Sequence, residues 1–220
     1  MKDFLEIVKN AKGELITIAA RPAMGKSTLA IDIINSVNEG NVLYFNLESS
    51  VRQLIDRIHR DNVYIINVAG TTISTIKDIC ETIIMSKTCL SMLVIDYLQL
   101  VNDFDKSKSL KTKERDIVFE LKNIALKYNI PVILISQLGR EVDLRDDKRP
   151  QLSDIDYHIV SCSSTIVSLY SEYRYAKLFD SQIENKNLID TELIYLKNNN
   201  NQLNNIKIVY DKSKCSFVMG

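Results

Sequence analysis

The chain has 220 residues, 45% of them apolar, and its 28 basic and 28 acidic side chains cancel to a formal charge of zero. That length and composition sustain one full core with little room for a second, and the balanced charge excludes a generally cationic surface, so any nucleic-acid contact must come from local basic loops. Four cysteines without C-x-x-C spacing and two separated histidines form no recognisable metal set and suit reduced thiols in a cytoplasm; neither a secretory segment nor a bilayer-length apolar run is present.

Met1 to Glu6 reads as the start of an amphipathic helix. From Gly13 a buried-strand pattern runs directly into Ala20 Arg21 Pro22 Ala23 Met24 Gly25 Lys26 Ser27 Thr28, the spacing of a phosphate-binding loop with alanine at the first glycine position. The turn must therefore begin in a conformation that alanine adopts, while Gly25 stands where a side chain would collide with phosphate. Backbone N–H groups from about Lys26 onward, at the start of the helix carrying Leu29 to Ile34, point at the anion, and the helix dipole favours its charge. Lys26 then reaches the β- and γ-phosphates of a nucleoside triphosphate and the Ser27 hydroxyl ligates Mg²⁺. Ala23, Met24, Gly25, Lys26, Ser27 and Thr28 are the candidate cradle.

Further along, Val42 to Leu47 reads as the second strand, a helix runs through Gln53 to Ile58, and Val63 to Ile66 is a third strand. A helix near Ile76 to Ser86 leads to Met92 to Asp96, a strand with almost no polar interruption. The stripe Ile117, Val118, Leu121, Ile124 and Ala125 predicts a helix over about Glu114 to Tyr128, and Pro131 to Ser136 the next strand. After Arg149 the pattern predicts strands without long helices at Ser164 to Tyr170, Thr191 to Lys197, Asn205 to Tyr210 and Cys215 to Met219, an antiparallel extension of the sheet. Asn198 to Asn205 reads as a turn, and Lys106 to Arg115 and Asp143 to Pro150 as mobile polar loops. The expected fold is α/β, a mostly parallel central sheet flanked by helices, with residues 1–220 forming one domain.

Ligands in such sheets bind beyond the carboxyl ends of the strands. Asp96 closes the strand Leu93 Val94 Ile95, where a carboxylate either caps the next helix or, beside a phosphate loop, is expected to hold Mg²⁺ through a water. Glu48 follows the second strand, where it either orients or deprotonates an attacking water or is simply a surface glutamate. Gln137 follows Val132 to Ser136, placing an amide where it can sense a γ-phosphate.

The strings Ala20 to Ser27, Asn46 Leu47 Glu48, Val94 to Leu100, Ile135 to Arg140 and Lys148 to Asp154 occur in order and together resemble the C-terminal RecA-like motor domain of the DnaB family of replicative DNA helicases, over about Gly13 to Val218. The proline-methionine loop and Asp96 Tyr97 Leu98 Gln99 Leu100 are the most specific part of that likeness. The resemblance implies a RecA-like P-loop NTPase fold and ATP hydrolysis coupled to translocation on single-stranded DNA. It implies a ring of six subunits, ATP and Mg²⁺ as cofactors, and a helicase loader or primase as possible partners. It makes Glu48 the catalytic base, with Lys26 and Gln137 in the catalytic set, and Arg57 a nucleotide-site arginine. Two loops would face the DNA, the first offering Lys108, Lys111 and Lys113 and the second, from Gly139 to Asp156, offering Lys148 and Arg149.

The sequence departs from the family at three places. Asn199, two residues after Lys197, stands where the family has an arginine finger, so hydrolysis is expected to be weak unless another cation substitutes. Asp156 Tyr157 His158 Ile159 replaces the Arg-Glu-Ser-Gly segment, and the family's N-terminal primase-interacting domain is expected to be absent. The alternative to a motor is therefore an ATP-binding regulatory or assembly subunit of a DNA-processing complex that hydrolyses weakly and does not unwind DNA alone.

Overall fold

A computed structural model describes residues 1–199 and 204–219. Helix α1 (Lys2–Asn10) buries Phe4 and Val8, confirming the amphipathic start. Strand β1 (Leu15–Ala20), helix α2 (Lys26–Ser36) and strand β2 (Asn41–Asn46) follow, then the short α3 (Arg52–Ile55), β3 (Val63–Ile66), α4 (Ile73–Met85) and β4 (Leu90–Asp96). Next come α5 (Leu110–Tyr128), β5 (Val132–Gln137), α6 (Tyr157–Cys162), β6 (Ser163–Tyr170) and α7 (Glu172–Phe179). The chain closes on β7 (Leu188–Asn198), β8 (Ile206–Asp211) and β9 (Ser216–Met219). The strands form one sheet in the order β3-β2-β4-β5-β1-β6-β7-β8-β9.

Central position explains why β1 is apolar throughout: it lies between β5 and β6, and every residue in it is buried. Alternation then divides its side chains between two cores. Ile16 and Ile18 pack with Phe4, Leu29 and Ile33 under α1 and α2, while Leu15 and Ala19 join Ile117, Val118 and Leu121 of α5 on the other face.

The expected α/β architecture is observed, with differences at the element ends. The strand expected from Ser164 onward begins at Ser163 and runs parallel to β1, so the antiparallel extension starts only at β7. Helix α5 begins at Leu110, because Ser109 caps it by accepting from the Thr112 N–H at 3.2 Å; Lys111 and Lys113 sit in its first turn and not in a loop. Two helices, α6 and α7, interrupt the stretch read as strands. The segment 143–150 is tied down by its own charges: Arg145 donates to Asp154 at 2.5 and 2.9 Å, and Lys148 donates to the carbonyls of Asp143 and Arg145. The turn expected over Asn198 to Asn205 lies in part outside the described residues. No helix among the described residues is long and apolar enough to cross a membrane.

Candidate functional site

β1 runs extended to Ala20, so the first loop position requires nothing an alanine cannot supply. The left-handed turns come later, at Ala23 (φ 61) and Gly25 (φ 100). Gly25 then opens α2, its carbonyl accepting from the Leu29 N–H at 3.0 Å. A Cβ at Gly25 would stand 2.8 Å from the ring tip of Phe217, so both the backbone angle and the close approach of β9 demand glycine here.

Strand register brings the predicted chemistry to this loop. Ala20 pairs with Gln137 across β1 and β5, and Asn46 pairs with Asp96 across β2 and β4, which places Glu48 just past the same edge. Lys26 is only 8% exposed; its ammonium donates to the Arg21 carbonyl at 3.2 Å. Burial pushes its pKa down, against the pull of Glu48 and Asp96. Asp96 is fully buried, and one of its oxygens accepts from the Tyr44 hydroxyl at 2.9 Å. Burial raises its pKa, while the Tyr44 hydrogen bond and the nearby Ser27 hydroxyl oppose the rise. The second oxygen, Oδ1, is sealed from solvent and finds no hydrogen-bond partner among the described residues. An orphan buried carboxylate oxygen beside a serine hydroxyl is an all-oxygen donor set, the kind a hard divalent cation such as Mg²⁺ prefers.

Gln99 links two of these strand ends. Its amide donates to Ser136 at 3.3 Å and accepts from the Gln137 N–H at 3.2 Å, fixing the backbone from which Gln137 projects. Arg57 reaches α2, donating to Thr28 at 2.9 Å, and it also holds the Cys215 carbonyl at 3.0 Å.

The outer wall of the loop is made by residues the sequence did not single out. Arg174 of α7 donates to the Ala23 carbonyl at 2.8 Å and stacks over the Tyr210 ring at 4.2 Å. Ala23, Arg174, Lys177, Lys186, Tyr210 and Lys212 line a pocket of about 370 Å³. No strand-end pattern marks Arg174, because it lies on a helix inside the stretch that reads as strands.

The basic residues expected to face DNA are largely engaged within the chain. Lys108 bonds Asp116 at 2.8 Å and Asp103 at 3.4 Å, and Lys113 donates to the Asp103 carbonyl at 2.6 Å. Lys148 is turned onto its own loop, and Arg149 grips Glu192 at 3.0 and 2.7 Å while lying over the Tyr170 ring. Lys111 is exposed. Lys197 donates to the carbonyls of Val160 and Ser163, both at 2.7 Å, and Asn199 is exposed beyond β7. Away from the loop, Glu114, Asp156 and His158 each bring one ligand atom within 4.8 Å of the others, a proximity that the scattered histidines did not announce.

The chain resembles known proteins in sequence and fold. The chain is 30% identical over 245 residues to the replicative DNA helicase DnaC of Bacillus subtilis (strain 168) and 32% identical over 246 residues to the replicative DNA helicase DnaB of Geobacillus stearothermophilus. Each match covers 94% of this chain and 52% of the relative, so the chain spans about half the length of these curated relatives. Among solved structures, the ATPase domain of G40P superposes with a TM-score of 0.81 at 25% identity, over 94% of this chain and 85% of that one. The family described as DnaB-like helicase C terminal domain matches residues 7–62 and 57–219. With loop, strand-end acid and sheet order all in place, the chain belongs to the DnaB-like helicase C-terminal domain family.

Proposed function

We propose that residues 1–220 act as a single ATPase domain that couples ATP hydrolysis to movement along single-stranded DNA in a ring of like subunits. The observation that carries this reading is the convergence of Lys26, Ser27 and the unsatisfied Asp96 oxygen at the mouth of one loop. Lys26 would exchange the Arg21 carbonyl for a phosphate oxygen, recovering in that contact the charge stabilisation that burial denies it. The Ser27 hydroxyl and Asp96 would hold Mg²⁺, which when bound neutralises phosphate charge. Glu48, exposed at the strand edge, would orient the attacking water, and Gln137 would read the terminal phosphate. Arg174 stacked on Tyr210 offers a flat cationic and aromatic surface beside the loop, suited to a nucleobase, with Arg57 nearby on Thr28. DNA contact would fall to the exposed Lys111 and, after release of their internal partners, to Lys108, Lys113, Lys148 and Arg149. A helicase loader or primase is the further partner class that this reading admits.

Calorimetric titration of Mg·ATP tests the foundation. Lys26→Ala is expected to weaken binding roughly 10- to 100-fold, the worth of a charge-assisted contact; unchanged affinity would defeat the nucleotide site. Turnover with and without single-stranded DNA, measured alongside native mass, tests the motor. DNA-stimulated turnover in an assembled ring supports it, whereas a monomer that binds ATP and ignores DNA supports the regulatory-subunit reading.

A further inference from the structure

Arg21 is attached through both its backbone and its side chain. Its carbonyl accepts from the Lys26 ammonium at 3.2 Å. Its guanidinium, 11% exposed, donates to both carboxylate oxygens of Asp143 at 3.0 and 2.8 Å and to the Leu138 carbonyl at 2.9 Å. Leu138 directly follows Gln137, and Asp143 lies in the 3-10 turn Arg140–Leu144. A third element joins them, since the Tyr175 hydroxyl of α7 also donates to Asp143.

Beyond Asp143 the segment is internally braced by the Lys148 and Arg145 contacts described above, so a displacement at Asp143 is shared through to Asp154. A paired guanidinium–carboxylate contact fixes orientation as well as distance. Movement of the Arg21 backbone is therefore passed on instead of being absorbed by side-chain freedom.

We propose that the Arg21–Asp143 contact is a strut through which engagement of phosphate by Lys26 repositions the segment 139–156. When the Lys26 ammonium turns to phosphate it releases the Arg21 carbonyl, the peptide at Arg21 reorients, and the guanidinium carries Asp143 with it. Arg21 and Asp143 are positioning residues here, and the route does not pass through the Gln137 side chain. The proposal rests on the nucleotide-site reading and adds to it a mechanical output.

The chain contains no tryptophan, and Leu144, next to Asp143, is 87% exposed, so Leu144→Trp supplies a single reporter on the strut. Mg·ATP is titrated into that parent by calorimetry and by emission, and the emission change is expected to saturate together with the heat. Adding Asp143→Asn is expected to keep the affinity within about threefold while the emission amplitude falls at least about fivefold, the lower end of ordinary coupling energies. Asp143→Glu should restore the amplitude, which a merely structural defect would not allow. Tyr175→Phe, which removes only a hydroxyl from the same carboxylate, should lower it about twofold. Undiminished amplitude in Asp143→Asn with ATP bound overturns the strut. Should that variant fail to fold by circular dichroism, undiminished amplitude in Tyr175→Phe does so. A parent that binds ATP without an emission change also overturns it and leaves the nucleotide site standing; a parent that binds no ATP removes both.

Discussion

Asp96 and Lys26 are each held in an environment that disfavours their charge, and one Asp96 oxygen has no hydrogen-bond partner among the described residues. Such arrangements cost stability, and they persist where a ligand supplies what the protein withholds. Glu48 differs from both: it is exposed, and close enough for its charge to be felt at Lys26 and Asp96. Its proposed work lies in the chemical step and not in binding. Glu48→Gln is accordingly expected to leave Mg·ATP affinity nearly unchanged while lowering turnover about 10²- to 10⁴-fold, checked by calorimetry beside a phosphate-release assay. Asp96 and Glu48 were legible in the sequence because they stand at or just past the ends of apolar strands, and strand ends in a parallel sheet share one edge; Lys26 was legible from the spacing of its loop. Arg174, Tyr210 and Phe217 were not legible, since nothing local tells a helix residue or an antiparallel strand that it will fold back on Gly25.

At the scale of elements, the contact of β9 with α2 carries a pH signature. The Phe217 N–H donates to Asp32 at 2.8 Å, yet burial pushes the Asp32 carboxyl up to about 6, outweighing that bond and the nearby Arg57 charge. The native state thus holds this proton more tightly than the unfolded chain, so the group's contribution to stability falls as pH rises from about 4 to about 6. Asp32→Asn removes the titration while keeping an acceptor for Phe217. Urea denaturation is expected to show the variant gaining on the parent by roughly 1–3 kcal/mol between pH 4 and 7; a constant difference would sink the assignment. The apolar strands and the α5 stripe were legible because their periodicity is strong. The first turn of α5 was hidden by its lysines, which resemble a solvated loop until Ser109 is recognised as a cap. Helix α6 is short and has no side-chain cap, whereas α7 is capped by Ser171, which accepts from the Arg174 N–H, a local signal that the strand reading of this stretch passed over.

For the whole molecule, the decisive relation is between the two ends of the sheet. Asn199 donates its N–H to the Ser164 carbonyl, near the start of β6, and the start of β6 pairs with Leu15, at the opposite end of β1 from the phosphate loop. Across a strand of this length the separation is roughly 15–20 Å, so a side chain at Asn199 lies out of reach of the chain's own phosphate loop. With an arginine finger proposed as the missing piece, Asn199→Arg is expected to raise turnover at least about tenfold, toward the 10³ to 10⁵ that such fingers supply, and only at concentrations where subunits assemble. No gain in an assembled ring would show that another cation completes the site. The clamp of β9 on α2 bears on how the protein is made. Phe217 and Asp32 are 185 positions apart, so a ribosome has emitted nearly all of this domain before the outer wall of the cradle exists. While the domain is half synthesised the glycine turn has no β9 against it, so the outer wall of the loop closes only after the residues around Phe217 have been made.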